Sequence, residues 1–263
     1  KRNMTIKKNP DDYKTGFLLY LEIIKSLNLR ETNSSNLRLE IQYESLIDWS
    51  QIHSFHFIKN WFLKKRKNPP IKVKNISLNQ CKNWLMKKGN YIHNSGEFFK
   101  VNALRISETR SREVDKWDQP ILTQIGYDGG ILGLIRKRFF GVPHYLIEAK
   151  LEPGNYKFVQ LSPTLQATFS NLRRVHRGRK PYFNQYFDLK KKITRKILYK
   201  QWLSEDGGRL NKKRNLGIIL KIPEKTKLKI PKDFIWMSMW QIKECLKYNA
   251  WVNPHVRGLI SCL

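Results

Sequence analysis

From Tyr145 to Glu152 the side chains alternate with a period of two, and this alternation constrains the fold more than any other segment does. Successive side chains on a strand point to opposite faces. Tyr145, Ile147, Ala149 and Leu151 therefore form one row, and His144, Leu146, Glu148, Lys150 and Glu152 form the other. The first row suits a buried core. The second sets two carboxylates against an ammonium and an imidazole. That pattern reads either as a salt-bridged outer face or as a cluster that holds groups at mismatched pKa values and moves protons. The residues that follow favour the second reading. A Pro153-Gly154-Asn155 turn leads to the neutral donors Gln166, Thr168, Ser170 and Asn171, and then to Arg173, Arg174, His176, Arg177 and Arg179. Neutral donors beside planar, bidentate guanidinium groups suit a ligand with both hydroxyls and phosphates.

Strand-like patterning also covers Gly96 to Ile106, and Ile121 to Tyr127 and Ile131 to Phe140 flank Asp128-Gly129-Gly130, a hairpin signal. Tyr156 to Leu161 continues after the Pro153 turn, and Leu216 to Ile222 reads as a buried strand. Helical spacing appears at Phe17, Tyr20, Leu21, Ile24 and Leu27, and again from Tyr43 to Leu63 around Trp49, Phe57 and Trp61. Capping boxes at Ser77 to Gln80 and at Ser238 to Gln241 predict two further helices, the first ending near Gly89. Lys64 to Pro70 reads as a basic linker. The expectation is an α+β protein with a mixed, mostly antiparallel sheet, a helical N-terminal extension over 1–68 and a main module over 69–263.

Composition narrows the function classes. With 263 residues the chain can bury a substantial core. Its 51 Lys and Arg against 21 Asp and Glu give a net charge of +30. Such a charge suits a polyanion partner, but the lysines are scattered and accompany abundant Asn and Ile, so a compositional bias explains them better than nucleic-acid binding. Cys81, Cys245 and Cys262 are odd in number and far apart, which gives neither a disulfide framework nor a zinc spacing. No apolar run reaches the length of a membrane span, so the chain reads as soluble and cytoplasmic. Gly129, Gly130 and Gly133 do not form a dinucleotide fingerprint, and no cofactor is expected.

Several single residues carry two readings. His93 with Ser95 stabilises a turn or touches a ligand. Gln124 finds structural partners or recognises a sugar hydroxyl. Thr164, Gln166 and Thr168 share one side of an extended segment that Ser170 continues, and ligand binding is the favoured reading. Arg209, Arg214 and Asn215 form a second candidate phosphate contact.

The run EAKLEPGN, then LSPTLQATFSN, then VHRG and a Tyr before Phe (Tyr182) resembles the nucleotide-sugar 2,3-dehydratases. The likeness extends upstream through ISLNQCKNWL, IHNSGEFFKV and WDQPILTQ, and downstream through SEDGGR, KKRN, FIWMSMWQI and VNPHVRGLISCL, so it covers roughly Phe57 to Leu263. It implies a Nudix-like α/β/α sandwich lacking the acidic Nudix box. The implied activity is removal of the C2 hydroxyl from an NDP-4-keto-6-deoxyhexose, without a redox cofactor or metal. On this basis Lys150 and Glu152 are the expected catalytic residues, with His176 as alternative proton carrier. The expected substrate contacts are His93, Ser95, Gln124, Glu148, Asn155, Thr164, Gln166, Thr168, Ser170, Asn171, Arg174, Arg177, Arg179 and Tyr182. Members of the family typically hold two copies of the module, and this chain holds one, which predicts a homodimer. Glu148 stands where the family often has Gln. The rival readings are a non-catalytic nucleotide-sugar-binding module and a basic nucleic-acid-binding protein.

Overall fold

In the computed structural model, the described residues are 34–50, 52–110, 112–126, 129–175 and 178–261, with Leu18, Glu22 and Ser26. Phe17, Tyr20, Leu21, Ile24 and Leu27 of the amphipathic N-terminal stretch lie outside them. Two helices begin the described chain, α1 (Ser34–Glu44) and α2 (Phe55–Lys67). The single helix expected across Tyr43 to Leu63 is therefore broken. Ser54 caps α2 by accepting a hydrogen bond from Phe57 N, so the helix starts there. Lys64 to Lys67 form its last turn rather than a linker, where basic side chains meet the negative end of the helix dipole.

A four-stranded antiparallel meander follows, in the order β1 (Trp84–Lys87), β2 (Asn90–His93), β3 (Phe99–Ile106), β4 (Trp117–Gln124). The helix expected to end near Gly89 is replaced by a short 3-10 turn at Leu78–Gln80 and the β1–β2 hairpin. Lys88 and Gly89 both have positive φ, which makes the tight turn that a helix excludes. Ser77 still caps, but it caps one turn only.

The larger sheet contains β5 (Gly130–Phe139), β6 (Val142–Leu151), β7 (Val159–Ser162), β8 (Leu165–Thr168), β9 (Lys196–Ser204), β10 (Arg214–Lys221) and β11 (Phe234–Met237). Its path runs β11–β6–β5–β10–β9, and only β5 with β10 is parallel along it. The hairpin expected at Asp128-Gly129-Gly130 does not form, because β4 and β5 belong to different sheets. Gly129 has φ +82°, and the Arg214 carbonyl lies where a Cβ would stand, so the chain turns there from one sheet into the other. β5 instead pairs with β6 across Phe140-Gly141, both of positive φ.

The β5–β6 ladder ends at Ile135 opposite Leu146. Beyond that point the two strands diverge, and β7 pairs with β6 while β8 pairs with β5. Thr164 sits at the fork. Its hydroxyl donates to Leu146 O and accepts from Ile135 N at 3.0 Å, satisfying the two backbone groups that the split leaves unpaired. The segment Trp251–Asn253 lies beside β7, with Leu161 N donating to Trp251 O and Asn253 N to Leu161 O.

Helices α1, α2, α5 (Met239–Leu246) and α6 (Pro254–Ser261) pack on one face of this sheet. Their buried residues include Ile41, Ile58, Phe62, Ile242 and Leu259, and they meet Tyr145, Ile147, Ala149 and Leu161. The opposite face carries Leu146, Leu165, Ile218 and Trp236 under Phe183 and Phe187, the latter in the short α4 (Asn184–Phe187). The architecture is thus α+β with mostly antiparallel sheets.

Candidate active site

The polar row of β6 keeps the order that the alternation predicts. Lys150 Nζ stands 3.7 Å from Glu148 Oε2 and 3.7 Å from Glu152 Oε1, so one ammonium lies between two carboxylates. Neither contact is at ordinary hydrogen-bond length, and all three groups are partly shielded rather than free in water. Burial raises the Glu148 carboxyl pKa; Glu152 and Asp233 add to the shift while Lys150 opposes it. Beside the row, β7 places Ser162 opposite Glu148 and Gln160 opposite Lys150. Asn155 closes the β6–β7 turn, its amide donating to Lys150 O and Phe158 O. On the other side Phe234 of β11 pairs with Glu148, and the exposed Tyr182 ring meets Phe234 edge-on at 5.9 Å.

His144 does not join this row. It is fully buried between Ser50 Oγ at 3.1 Å and Val142 O at 3.0 Å, and burial lowers its pKa to about 4. Its place in the alternation is right, but the chain from Ser50 covers that end of the strand.

Of the other expected contacts, Gln166 is brought to the neighbourhood through Asn253, whose amide donates to Ser162 Oγ at 2.8 Å and to Gln166 Oε1 at 3.0 Å. Thr164 is buried, and its hydroxyl is committed to the fork. Thr168 caps the short α3 (Phe169–Leu172) by accepting from Asn171 N, and its hydroxyl lies 2.9 Å from that of Ser170. Arg174 donates to Gly178 O on the surface, and Arg179 is exposed. His93 and Ser95 hydrogen-bond to each other at the end of β2, in the other sheet. Gln124 donates to Gly129 O, while its own carbonyl oxygen is buried with no hydrogen-bond partner among the described residues. His176 and Arg177 lie outside the described residues.

Sequence reasoning missed three groups that shape the site. Asn253 is a buried N-cap for α6, accepting from Val256 N, and it bridges β7 and β8. An Asn immediately before a Pro is a helix-start signal that could have revealed it. Arg66 of α2 donates to the carbonyls of Val159, Tyr156 and Ala250, fixing the β6–β7 turn against the C-terminal segment. The third is a polar group at the β9–β10 end, of which the sequence singled out only Asn215, as a phosphate contact. There His255 Nδ1 lies 3.8 Å from Glu205 Oε1, Asn215 donates to Glu205, and Lys213 Nζ donates to Asn215 Oδ1 at 2.9 Å.

Among the described residues no three His, Cys, Asp or Glu side chains come together as a metal site, and no helix is long and apolar enough to cross a membrane. The β6 row can hold a proton on one carboxyl, accept one on another, and offer positive charge to an oxygen that gains negative charge between them.

The model of the NDP-hexose 2,3-dehydratase family matches residues 56–263. The chain is 32% identical over 212 residues to a dTDP-4-dehydro-6-deoxy-alpha-D-glucopyranose 2,3-dehydratase of Amycolatopsis orientalis, covering 78% of this chain and 44% of that one. A protein of the same name from Saccharopolyspora spinosa is 37% identical over 177 residues, covering 66% and 34%. One from Streptomyces violaceoruber is 32% identical over 205 residues, covering 77% and 45%. The chain therefore spans less than half the length of these curated relatives.

Proposed function

The chain belongs to the NDP-hexose 2,3-dehydratase family, and from that premise we propose that it is a hydro-lyase acting on an NDP-4-keto-6-deoxyhexose, with dTDP-4-keto-6-deoxyglucose as the first substrate to test. The observation that carries this reading is the Lys150 ammonium set between Glu148 and Glu152 on one strand face.

The C4 ketone acidifies the C3 proton, so a carboxylate can remove it if the resulting enolate is stabilised. Glu152 takes that proton and Lys150 stabilises the enolate oxygen. The electron pair then expels the C2 hydroxyl, which needs a proton to leave as water. Glu148, whose carboxyl pKa is raised by burial, supplies it. The product enol, with its double bond between C2 and C3, tautomerises to a 3,4-diketo-2,6-dideoxy sugar. Gln160, opposite Lys150, is assigned as a hydroxyl partner together with Asn155, Gln166 and Tyr182. Arg174 and Arg179, with Arg177, supply the positive charge that a diphosphate requires.

We place the enzyme in the cytoplasm, where the free Cys81 and Cys245 would stay reduced, and we read it as a homodimer. The spans of only 34–45% of the relatives also fit a binding module without chemistry, and turnover separates the two. Incubation with dTDP-4-keto-6-deoxyglucose, followed by NMR of the sugar, should show loss of the C2 hydroxyl. Lys150→Met and Glu152→Gln should each slow that reaction by about a hundred-fold or more. Near-normal turnover in both variants would defeat the assignment.

A further inference from the structure

The β9–β10 end of the sheet holds a set of polar side chains that the elimination chemistry above does not use. Glu205 follows β9, Lys213 and Asn215 flank the start of β10, and His255 stands in the first turn of α6. The arrangement is directional. Lys213 donates to the Asn215 carbonyl, the buried Asn215 amide donates to Glu205, and the Glu205 carboxylate faces His255 Nδ1 at 3.8 Å. One amide and one ammonium thus orient a carboxylate toward one ring nitrogen of a histidine. This is how a proton-carrying imidazole is usually positioned, with the second ring nitrogen left to exchange the proton. A 3.8 Å separation is longer than a hydrogen bond, but such contacts are often loose without substrate and tighten when it binds.

The other ring nitrogen, Nε2, meets no side chain in any described contact of His255. The ring's position connects it to the β6 row in three ways. Asn253, two residues before it, is fixed to Ser162 and Gln166. Pro254, the residue before it, shares the wall of a cleft of about 520 Å3 with Gln160, which stands opposite Lys150. The Glu152 charge raises the pKa of the ring, with no ion-pair contact between these two described residues.

We propose that His255, held by Glu205, relays the proton away from Glu152 after Glu152 has taken it from C3. In this step the Glu152 O–H bond breaks, a water molecule carries the proton across, and an N–H bond forms at His255 Nε2, because the ring's ion-pair contact is with Glu205 and not with Glu152. The imidazolium that results is paired with Glu205, and Glu152 is again a carboxylate ready for the next cycle. Solvent accepts the proton from the ring, so no co-reactant is needed. The relay needs a ring that is neutral at rest, which fits the lowered pKa of His255: burial lowers it, Lys213 lowers it further, and Glu205 and Glu152 oppose. Arg257, two residues further along α6, is the remaining charge nearby in sequence. His255 acts through Glu152 and is therefore a positioning and relay residue. The inference rests on the dehydratase reading.

The test compares the whole protein with His255→Asn and Glu205→Gln, using dTDP-4-keto-6-deoxyglucose and following the sugar by NMR across pH. His255→Asn should lower kcat by roughly ten- to a hundred-fold with KM unchanged, and imidazole in the buffer should restore part of the rate. Glu205→Gln, which keeps the shape of the pair, should lower kcat less and shift the acid limb of the pH profile. An active wild type whose His255→Asn form keeps its kcat and pH profile overturns the relay and leaves the dehydratase reading intact. So does a His255→Asn form that loses thermal stability and rate together without imidazole rescue, while Glu205→Gln is unchanged. A wild type that eliminates nothing overturns the dehydratase reading, and the relay with it.

Discussion

Glu148 is the residue at which structure adds most to the sequence. Its alternation partner Lys150 and its place on the β6 face follow from the period of two, but its raised pKa does not, because that comes first from burial in the folded sheet and then from the charges of Glu152 and the sequence-distant Asp233. If Glu148 is the acid, its protonated form does the work, and the rate should fall as pH rises through its folded pKa. Glu148→Gln should remove that alkaline limb and cost about a hundred-fold in rate. The stability sign is opposite to the usual carboxylate case. A carboxyl whose folded pKa lies above its unfolded value stabilises the fold when protonated, and that contribution is lost as pH rises. Glu148→Gln should therefore melt at a higher temperature than the wild type above neutral pH while being less active. An alkaline limb that survives the substitution unchanged would show that another group is the acid. Thr164 illustrates the reverse limit. Its row of neutral donors looked like a ligand-binding edge, yet its hydroxyl closes a fork between two strands, a feature that no local pattern encodes.

At the scale of elements, the strands over Phe99–Ile106, Val142–Leu151 and Arg214–Lys221 were legible because alternation or a continuous apolar run marks them locally. The β4–β5 connection was misread because Asp-Gly-Gly favours a hairpin without fixing which strands pair, and packing of Gly129 against Arg214 decided the outcome. The attachment of α1 was also hidden. Arg136 on β5 is buried and meets Glu44 and, at 2.9 Å, Glu40, while Tyr145 donates to Glu44 at 2.9 Å. Burial alone would weaken the Arg136 charge, but the fields of Glu44 and Glu40 hold it well above its ordinary range. Removing Glu44 leaves the buried Arg136 with Glu40 but without its closer carboxylate, and leaves the buried Tyr145 hydroxyl without its acceptor, which costs far more than an intact pair contributes. Glu44→Ala should destabilise the protein by about 3–5 kcal/mol, measured by urea unfolding. Arg138, which bonds to Glu40 nearer the surface, offers the contrast. A loss below 1 kcal/mol for Glu44→Ala would mean that α1 is held by its apolar residues and Glu40 without need of Glu44.

For the whole molecule, size and charge pull in opposite directions. Relatives in which this chain covers 44%, 34% and 45% of the length carry at least as much chain again, and the homodimer proposed above would bring a second module to this one. The four-stranded sheet presents a suitable face. Leu78, Leu85 and Met86 are exposed around an apolar groove of about 610 Å3 that also includes Trp84 and Pro120. Exposed apolar surface of this kind marks an association site more often than a solvated one. Against this stands the net charge of +30, which makes two copies repel. Salt screens that repulsion within about 8 Å at physiological ionic strength but leaves apolar burial intact. The dimer should therefore become more populated as salt is raised, the reverse of a complex with a polyanion, which weakens steeply with salt. Light scattering should show twice 31.4 kDa at high ionic strength, and Met86→Lys should return the mass to that of one chain. A fully active protein that stays at 31.4 kDa at every salt concentration would show that one module suffices. In that case the +30 charge would have no opposing association to overcome.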